Sequence, residues 1–215
     1  MSTAQVHPVV LIKIPETQNS EAKDRENERI HDLLNKPELA KRLLSPYSRN
    51  IQSDFQGIFE SGDHLIRHLF LIRELLYPIK PQFSIGIGQV TNPINKVAAV
   101  IIEGSALKQA QKGFLKISNE SGSLQIHGFT RTIDELMESA CDLLWHSSEN
   151  WKLNRLKIFN AKLRGQSEKI LAEQLVISER AVYKNIAEGR LNTWIRLVEA
   201  LEGNITKALL QYRQI

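Results

Sequence analysis

Residues 83–90, Phe-Ser-Ile-Gly-Ile-Gly-Gln-Val, decide how the first two thirds of this chain fold. The run reads as a strand. Gly86 and Gly88 lie inside it and do not form a glycine-rich turn opening a helix, so a phosphate cradle is not indicated. Glycines within a strand instead mark a bulge or a second backbone lying close by.

Upstream, Asp63 to Leu76 is strongly helical in its apolar spacing, with Asp63 as the expected cap and Pro78 and Pro81 as breakers. Ile51, Phe55 and Phe59 predict a hairpin turning near Ser53-Asp54. Before it, Arg29 to Leu44 predicts a helix with Ile30, Leu33, Leu34, Leu39, Leu43 and Leu44 on one broad face. Pro37 kinks or restarts that helix and Pro46 ends it. Residues 16–28 are polar and predict a loop running into the helix, and Val9 to Ile14 predicts a buried strand closed by Pro15.

Downstream, the apolar run 98–102 is ambiguous. Ser105 to Gly113 predicts a short helix. Phe114 to Ile117 and Leu124 to Ile126 predict a hairpin around Glu120-Ser121-Gly122. Asp134 to Trp145 is amphipathic and leads into His146-Ser147-Ser148, a polar stretch taken as the boundary between a domain of residues 1–146 and one of residues 147–215. With 98–102 set aside, the order of elements predicts an α+β fold: a ferredoxin-like antiparallel sheet with helices on one face, followed by an all-α bundle. Such a sheet hosts many functions and argues for none alone.

Composition narrows the class. The chain has 215 residues, 42% hydrophobic and 24% charged, with 11 Gly and 7 Pro, which excludes collagen-like and wholly disordered readings. No run is long and apolar enough for a membrane span, no secretory signal is evident, and the expectation is a soluble cytoplasmic protein without a membrane partner. Cys141, the single cysteine, cannot form an intramolecular disulfide, and its position predicts a buried, inert thiol. Charge is uneven: residues 1–148 carry 16 Lys/Arg against 17 Asp/Glu, whereas residues 149–215 carry 12 against 7. A basic C-terminal third suits a polyanionic partner, or is ordinary scatter unless a motif accompanies it.

Three runs carry a resemblance. SDFQG (53–57), FSIGIGQV (83–90) and IEGSALKQAQ (102–111), at these separations, resemble the bacterial SatD family, over roughly residues 8–128. That family is similar to the catalytic palm of class III nucleotidyl cyclases and GGDEF proteins. The resemblance implies two carboxylates holding divalent ions that clamp a triphosphate, one ending the first strand and one in the central hairpin. Here Lys13 stands at the first position and Ser53 at the second, with Asp54 one residue beyond. A protonated lysine cannot ligate a hard cation, so the domain is expected to be a degenerate, non-catalytic member. Lys13, Ser53 and Asp54 remain candidates for a nucleotide or other small ligand, with Lys13 alternatively a plain strand-end lysine.

The basic third contains the motif that the charge requires. In GQSEKILAEQLVISERAVYKNIAEGR (165–190), Ser167 and Ser178 can each cap a helix, Glu168 to Leu175 and Glu179 to about Glu188, with Gly189 ending the second. Leu171, Ala172, Leu175, Ile177, Val182 and Ile186 form a shared apolar wedge, and Val176 with Ile177 is expected to fold onto the core. The pattern predicts a helix-turn-helix and resembles phage-repressor and Cro-type proteins over some twenty residues. Val176 departs from the usual glycine of that turn, so a wider turn is expected. In such a motif the second helix enters the major groove of double-stranded DNA. Arg180 could fork onto guanine and Tyr183 could touch a thymine methyl or a phosphate, with Glu179 also outward. Lys184, Arg190 and the Ser178 helix start suit phosphates. Exposed charges on a small helical bundle are the plain alternative.

The helix Trp151 to Leu163 is expected to brace the motif and to add phosphate contacts, with Lys152, Arg155 and Lys162 outside its apolar stripe. Gly203 is expected to stop a helix carrying Trp194, Ile195, Leu197, Val198 and Leu201, with a last helix at 205–212. His64 and His68 are an i,i+4 pair but read as a helix edge, and neither metal nor cofactor is expected. The sequence reading is thus a homodimeric DNA-binding transcriptional regulator, its first domain serving dimerisation or sensing of a small-molecule or nucleotide effector. The alternatives are a metal-dependent nucleotidyl-transfer enzyme using Asp54, or a protein-interaction adaptor.

Overall fold

The computed structural model describes residues 5–15, 20–50, 54–119 and 124–212. The chain is α+β. Its strands are β1 (Gln5–Lys13), β2 (Leu43–Arg49), β3 (Phe55–Phe59), β4 (Gln82–Val90) and β5 (Leu124–His127). Its helices are α1 (Ser20–Leu34), α2 (Pro37–Ala40), α3 (Leu65–Leu75), α4 (Ser105–Asn119), α5 (Arg131–Ser148), α6 (Leu153–Leu163), α7 (Glu168–Leu175), α8 (Glu179–Glu188) and α9 (Leu191–Tyr212). No helix among the described residues is long and apolar enough to cross a membrane.

The strands form one sheet in the order β2-β3-β1-β4-β5. β1 lies antiparallel to both β3 and β4, with Val9 opposite Ile58 on one side and Gly86 on the other. β2 and β3 are antiparallel, but β4 and β5 are parallel, so the sheet is mixed rather than antiparallel. Each face of the centre is covered. Val10, Ile12, Phe55, Phe59, Phe83 and Ile85 pack into the larger core with α1, α3 and α5. Val9, Leu11, Ile58 and Val90 pack beneath Ala106 and Ala110 of α4. Burial on both faces explains why β1 is continuously apolar instead of alternating. Helices therefore lie on both sides of the sheet, a correction to the one-sided arrangement.

Several predicted boundaries move for identifiable reasons. The first helix begins at Ser20, inside the expected loop, and stops at Leu34. Leu43 and Leu44 belong to β2. Pro46, the expected helix breaker, sits within this edge strand, where a missing N–H costs no ladder bond. The run after β4 crosses that edge: Ala99 N–H donates to the Pro46 carbonyl (2.9 Å) and Ser45 Oγ to the Asn95 carbonyl (2.5 Å). The β2–β3 hairpin exists, with Arg49 opposite Phe55; Ile51 and Ser53 lie outside the described residues.

Phe114 to Ile117 is helical, because buried Ala106, Ala110, Gly113 and Ile117 continue one helix face and bring α4 back over β4. β5 then pairs parallel to β4 by crossover instead of closing a hairpin; residues 120–123, the expected turn, lie outside the described residues. Asp63 does not cap α3. His64 takes that position with φ 60°, and the Asp63 carboxylate accepts the Thr206 hydroxyl (2.9 Å). Gly203 does not stop a helix either: α9 runs through it to Tyr212.

Residues 146–148 are the last turn of α5, and Ser148 is buried there. Beyond it, α6 packs on α3. Phe70, Trp145, Trp151 and Phe159 form an aromatic cluster with ring centroids 4.9–6.4 Å apart. Arg67 of α3 reaches Glu202 of α9 (Nε to Oε2, 3.0 Å), whose carboxylate also accepts the Arg67 amide (2.9 Å). The C-terminal helices thus stand directly on α3.

Candidate nucleic-acid interface

The pair α7–α8 is built as its serines dictate. Ser167 Oγ accepts the Ile170 amide (3.5 Å) and Ser178 Oγ accepts the Ala181 amide (3.2 Å), each satisfying a donor that a helix start would otherwise leave unmet. Between them lie three residues, Val176, Ile177 and Ser178. Val176 itself adopts the left-handed conformation (φ 54°, ψ 48°), while its amide donates to the Glu173 carbonyl and that of Ile177 to the Ala172 carbonyl. The expected widening of the turn is therefore corrected: valine accepts the glycine conformation. Val176 also points to solvent, 89% exposed, and not onto the core; only Ile177 packs there.

Leu171, Ala172, Val182 and Ile186 are buried where the two helices meet. That burial turns the other side of α8 outward. Glu179, Arg180, Tyr183, Lys184 and Glu188 are exposed along it, and Ser178 and Arg190 are exposed at its two ends. Arg190 has φ 49° at the α8–α9 junction. The outward face carries both signs of charge. Lys184 Nζ lies 3.7 Å from Glu188 Oε1, a loose pair that a competing anion can open. Arg155 and Lys162 of α6 are already engaged, with Glu188 (3.3 Å) and Glu168 (2.8 Å). The sequence reading could not see that these cations brace α8 and α7 instead of facing outward.

The second set of predicted residues gathers at one end of the sheet. Ile12 is opposite Phe55, so Lys13 and Asp54 are the next residues outward on neighbouring strands. Asp54 is half-buried, and desolvation raises its carboxyl above the ordinary range while the Lys13 charge opposes that rise. Its amide donates to Asn50 Oδ1 (3.1 Å), and its carbonyl accepts the Asn50 amide (2.8 Å), which closes the hairpin. Ser53 lies outside the described residues. The arrangement places a lysine charge within electrostatic reach of a single carboxylate.

Two features escaped the sequence reading. A cavity of about 700 Å³ opens between α2, α3 and α6, lined among others by Arg42, His64, Arg67, His68, Glu74 and Arg164. Its residues come from three separate elements, and only the helical spacing of His64 and His68 was visible. Burial and the nearby Arg42 charge hold the His68 imidazole down to about 3, so it is neutral. The second feature is the group His127, Asp134 and Glu138, whose potential ligand atoms all lie within 4.8 Å of one another. Spacings of seven and four residues across a strand–helix junction give no recognisable motif. Cys141 is buried in α5, its thiol pushed up to about 12 by burial, which matches an inert role. No family model matches the chain, and neither does a curated protein or a solved structure.

Proposed function

We propose that the protein is a DNA-binding transcriptional regulator whose α7–α8 pair acts as a helix-turn-helix, with α8 as the groove-reading helix. The observation that carries this reading is the outward array on α8: Arg180, Tyr183 and Lys184 are exposed, while Val182 and Ile186 anchor the opposite side. Arg180 is one residue into a helix whose start is held by Ser178, the position from which side chains reach base edges. Lys184 and Arg190 neutralise phosphates, and Glu179 discriminates by repelling them or by accepting from a cytosine amine.

The N-terminal body is read as a ferredoxin-like, SatD-type domain that has lost its metal pair. The strand order β2-β3-β1-β4, with β1 between two antiparallel neighbours, supports that reading, as does Lys13 beside Asp54. The cavity lined by Arg42 and Arg164, with Arg67 already held by Glu202 and with Glu38 and Glu74 also in its lining, is where a small-molecule effector bearing both donors and an anionic group would sit. A single groove-reading helix gives little specificity, so the regulator acts as a homodimer. Ile133, Leu136 and Leu143 on α5 are exposed at heptad-like spacing, which supports self-association.

The test is binding of the purified protein to random duplex DNA at two salt concentrations, alongside the double variant Arg180→Ala/Lys184→Ala. The reading requires affinity that falls steeply with salt, with a log–log slope reduced by roughly 1–2 in the double variant. Absent binding, or binding unchanged by the substitutions, removes α8 from the interface.

A further inference from the structure

We propose that His127, Asp134 and Glu138 form a binding site for a divalent transition-metal ion of the zinc class. His127 ends β5, Gly128 turns the chain with φ 115°, and α5 begins at Arg131. Asp134 and Glu138 are one turn apart on α5, so their carboxylates share the helix face that packs against β5. The result is one imidazole and two carboxylates with ligand atoms all within 4.8 Å of each other. One nitrogen and two oxygen donors suit a borderline cation such as Zn²⁺, with its remaining positions open to water.

The imidazole supplies the independent evidence. His127 is completely buried, yet neither ring nitrogen has a hydrogen-bond partner. Nδ1 is 2.6 Å from Glu138 Oε1 without the alignment a hydrogen bond needs, and Nε2 has no hydrogen-bond partner either. A buried polar atom left this way is costly, and so is a part-buried carboxylate oxygen held against it without an aligned donor. A cation shared by both removes the two costs together.

The surroundings hold the ligands in place. Asp134 Oδ1 accepts the amides of Gly128 (3.0 Å) and Phe129 (2.8 Å), which fixes its carboxylate and leaves the second oxygen for an ion. The Lys116 ammonium pairs with Glu138 Oε2 and supplies positive charge to the carboxylates. Its side chain is 41% exposed, so it can withdraw to solvent when an ion takes over that role. The Gly128 carbonyl accepts the Tyr212 hydroxyl (2.8 Å), so the ion would also tie down the junction on which the end of α9 docks.

The experiment titrates chelator-treated full-length protein with Co²⁺ followed by visible absorption, then displaces it with Zn²⁺ under calorimetry. The expected result is one ion per chain with d–d bands of low-symmetry coordination. Affinity should fall at least tenfold in Glu138→Gln and in His127→Gln, both checked for native circular dichroism. Lys116→Met separates the proposal from a simple ion-pair network. Removing a competing ammonium should tighten the ion several-fold, whereas weakening comparable to Glu138→Gln would overturn the site. Failure of the wild-type chain to take up either ion, or uptake unchanged by Glu138→Gln, would overturn it equally.

Discussion

Gly86 of β4 lies so close beneath Ala106 of α4 that a Cβ built on it would stand 2.0 Å from the Ala106 carbonyl oxygen and 2.4 Å from the Ala110 amide nitrogen. The neighbouring Ser84 Oγ donates to the Ala110 carbonyl (2.6 Å), so α4 rests on the strand through backbone as much as through side chains. A backbone obstacle cannot rotate away. Gly86→Ala should therefore destabilise by about 3 kcal/mol or more, as overpacking that displaces a helix does. Gly203→Ala is the opposed control. It is exposed in mid-α9 with nothing within 4 Å of the built Cβ, and should stabilise by about 0.5–1 kcal/mol. Urea unfolding of the two variants measures both; equal effects of the same sign would refute this account of α4 packing.

The Gly86 position also shows what the sequence could and could not reveal. Two glycines within a strand announced a close backbone, but nothing local said that the approaching backbone was a helix continuing through Phe114 to Ile117. That stretch has strand-like residues, and only the period set by Ala106, Ala110 and Ile117 identifies it as helix. Pro46 misled in the opposite direction, since an edge strand tolerates the residue that ends a helix. The serine caps and apolar wedge of α7–α8 were legible because capping and i,i+3/i+4 burial are local chemistry. The His127 group and the arginine-lined cavity were not, because tertiary contact alone assembles their residues.

Val176 holds a left-handed conformation while 89% exposed, so it carries strain without the compensation of burial. A β-branched residue there costs roughly 1–2 kcal/mol relative to glycine in the same geometry. Val176→Gly should thus stabilise the chain by about 0.5–1 kcal/mol after allowing for the greater freedom of glycine when unfolded. Thermal denaturation tests this directly. A lower melting temperature in Val176→Gly would mean that the turn relies on the valine side chain.

His68 gives the fold an acid limit. Its Nε2 lies 3.2 Å from the buried Tyr47 hydroxyl, and its ring meets Phe59 edge-on at 4.8 Å. With the folded imidazole held down to about 3 by burial and Arg42, and an unfolded histidine titrating near 6.5, the unfolded chain binds a proton the native one refuses. The stabilisation is complete above pH 6.5 and is lost as pH falls toward 3. Each pH unit in that window is worth up to about 1.4 kcal/mol. His68→Gln keeps a polar partner for Tyr47 and should be less stable at pH 7 but lose less on acidification. Parallel acid limbs for variant and wild type, measured by urea unfolding from pH 7 to 4.5, would exclude His68 as the group responsible.

Arg73 ties α3 to the end of α5 without a carboxylate within ion-pair distance among the described residues. It is buried, donates from Nη1 to Ser148 Oγ (2.6 Å) and from Nη2 to the Ser148 carbonyl (2.5 Å), and stacks 4.7 Å from the Trp145 ring centroid. Burial lowers its guanidinium to about 10, with the Glu149 charge opposing the shift, so the group is still cationic at neutral pH. Two parallel donors and a flat face on an indole are properties of guanidinium that an ammonium lacks. Arg73→Lys should therefore cost about 2–3 kcal/mol, because a compact buried charge keeps the desolvation penalty and loses half its partners. Arg73→Met removes the charge and the penalty together, leaving one carbonyl and one hydroxyl short of a donor, and should cost less than the lysine variant despite being the larger chemical change. Finding lysine the milder substitution in denaturant unfolding would show that charge, and not guanidinium geometry, is what joins α3 to α5.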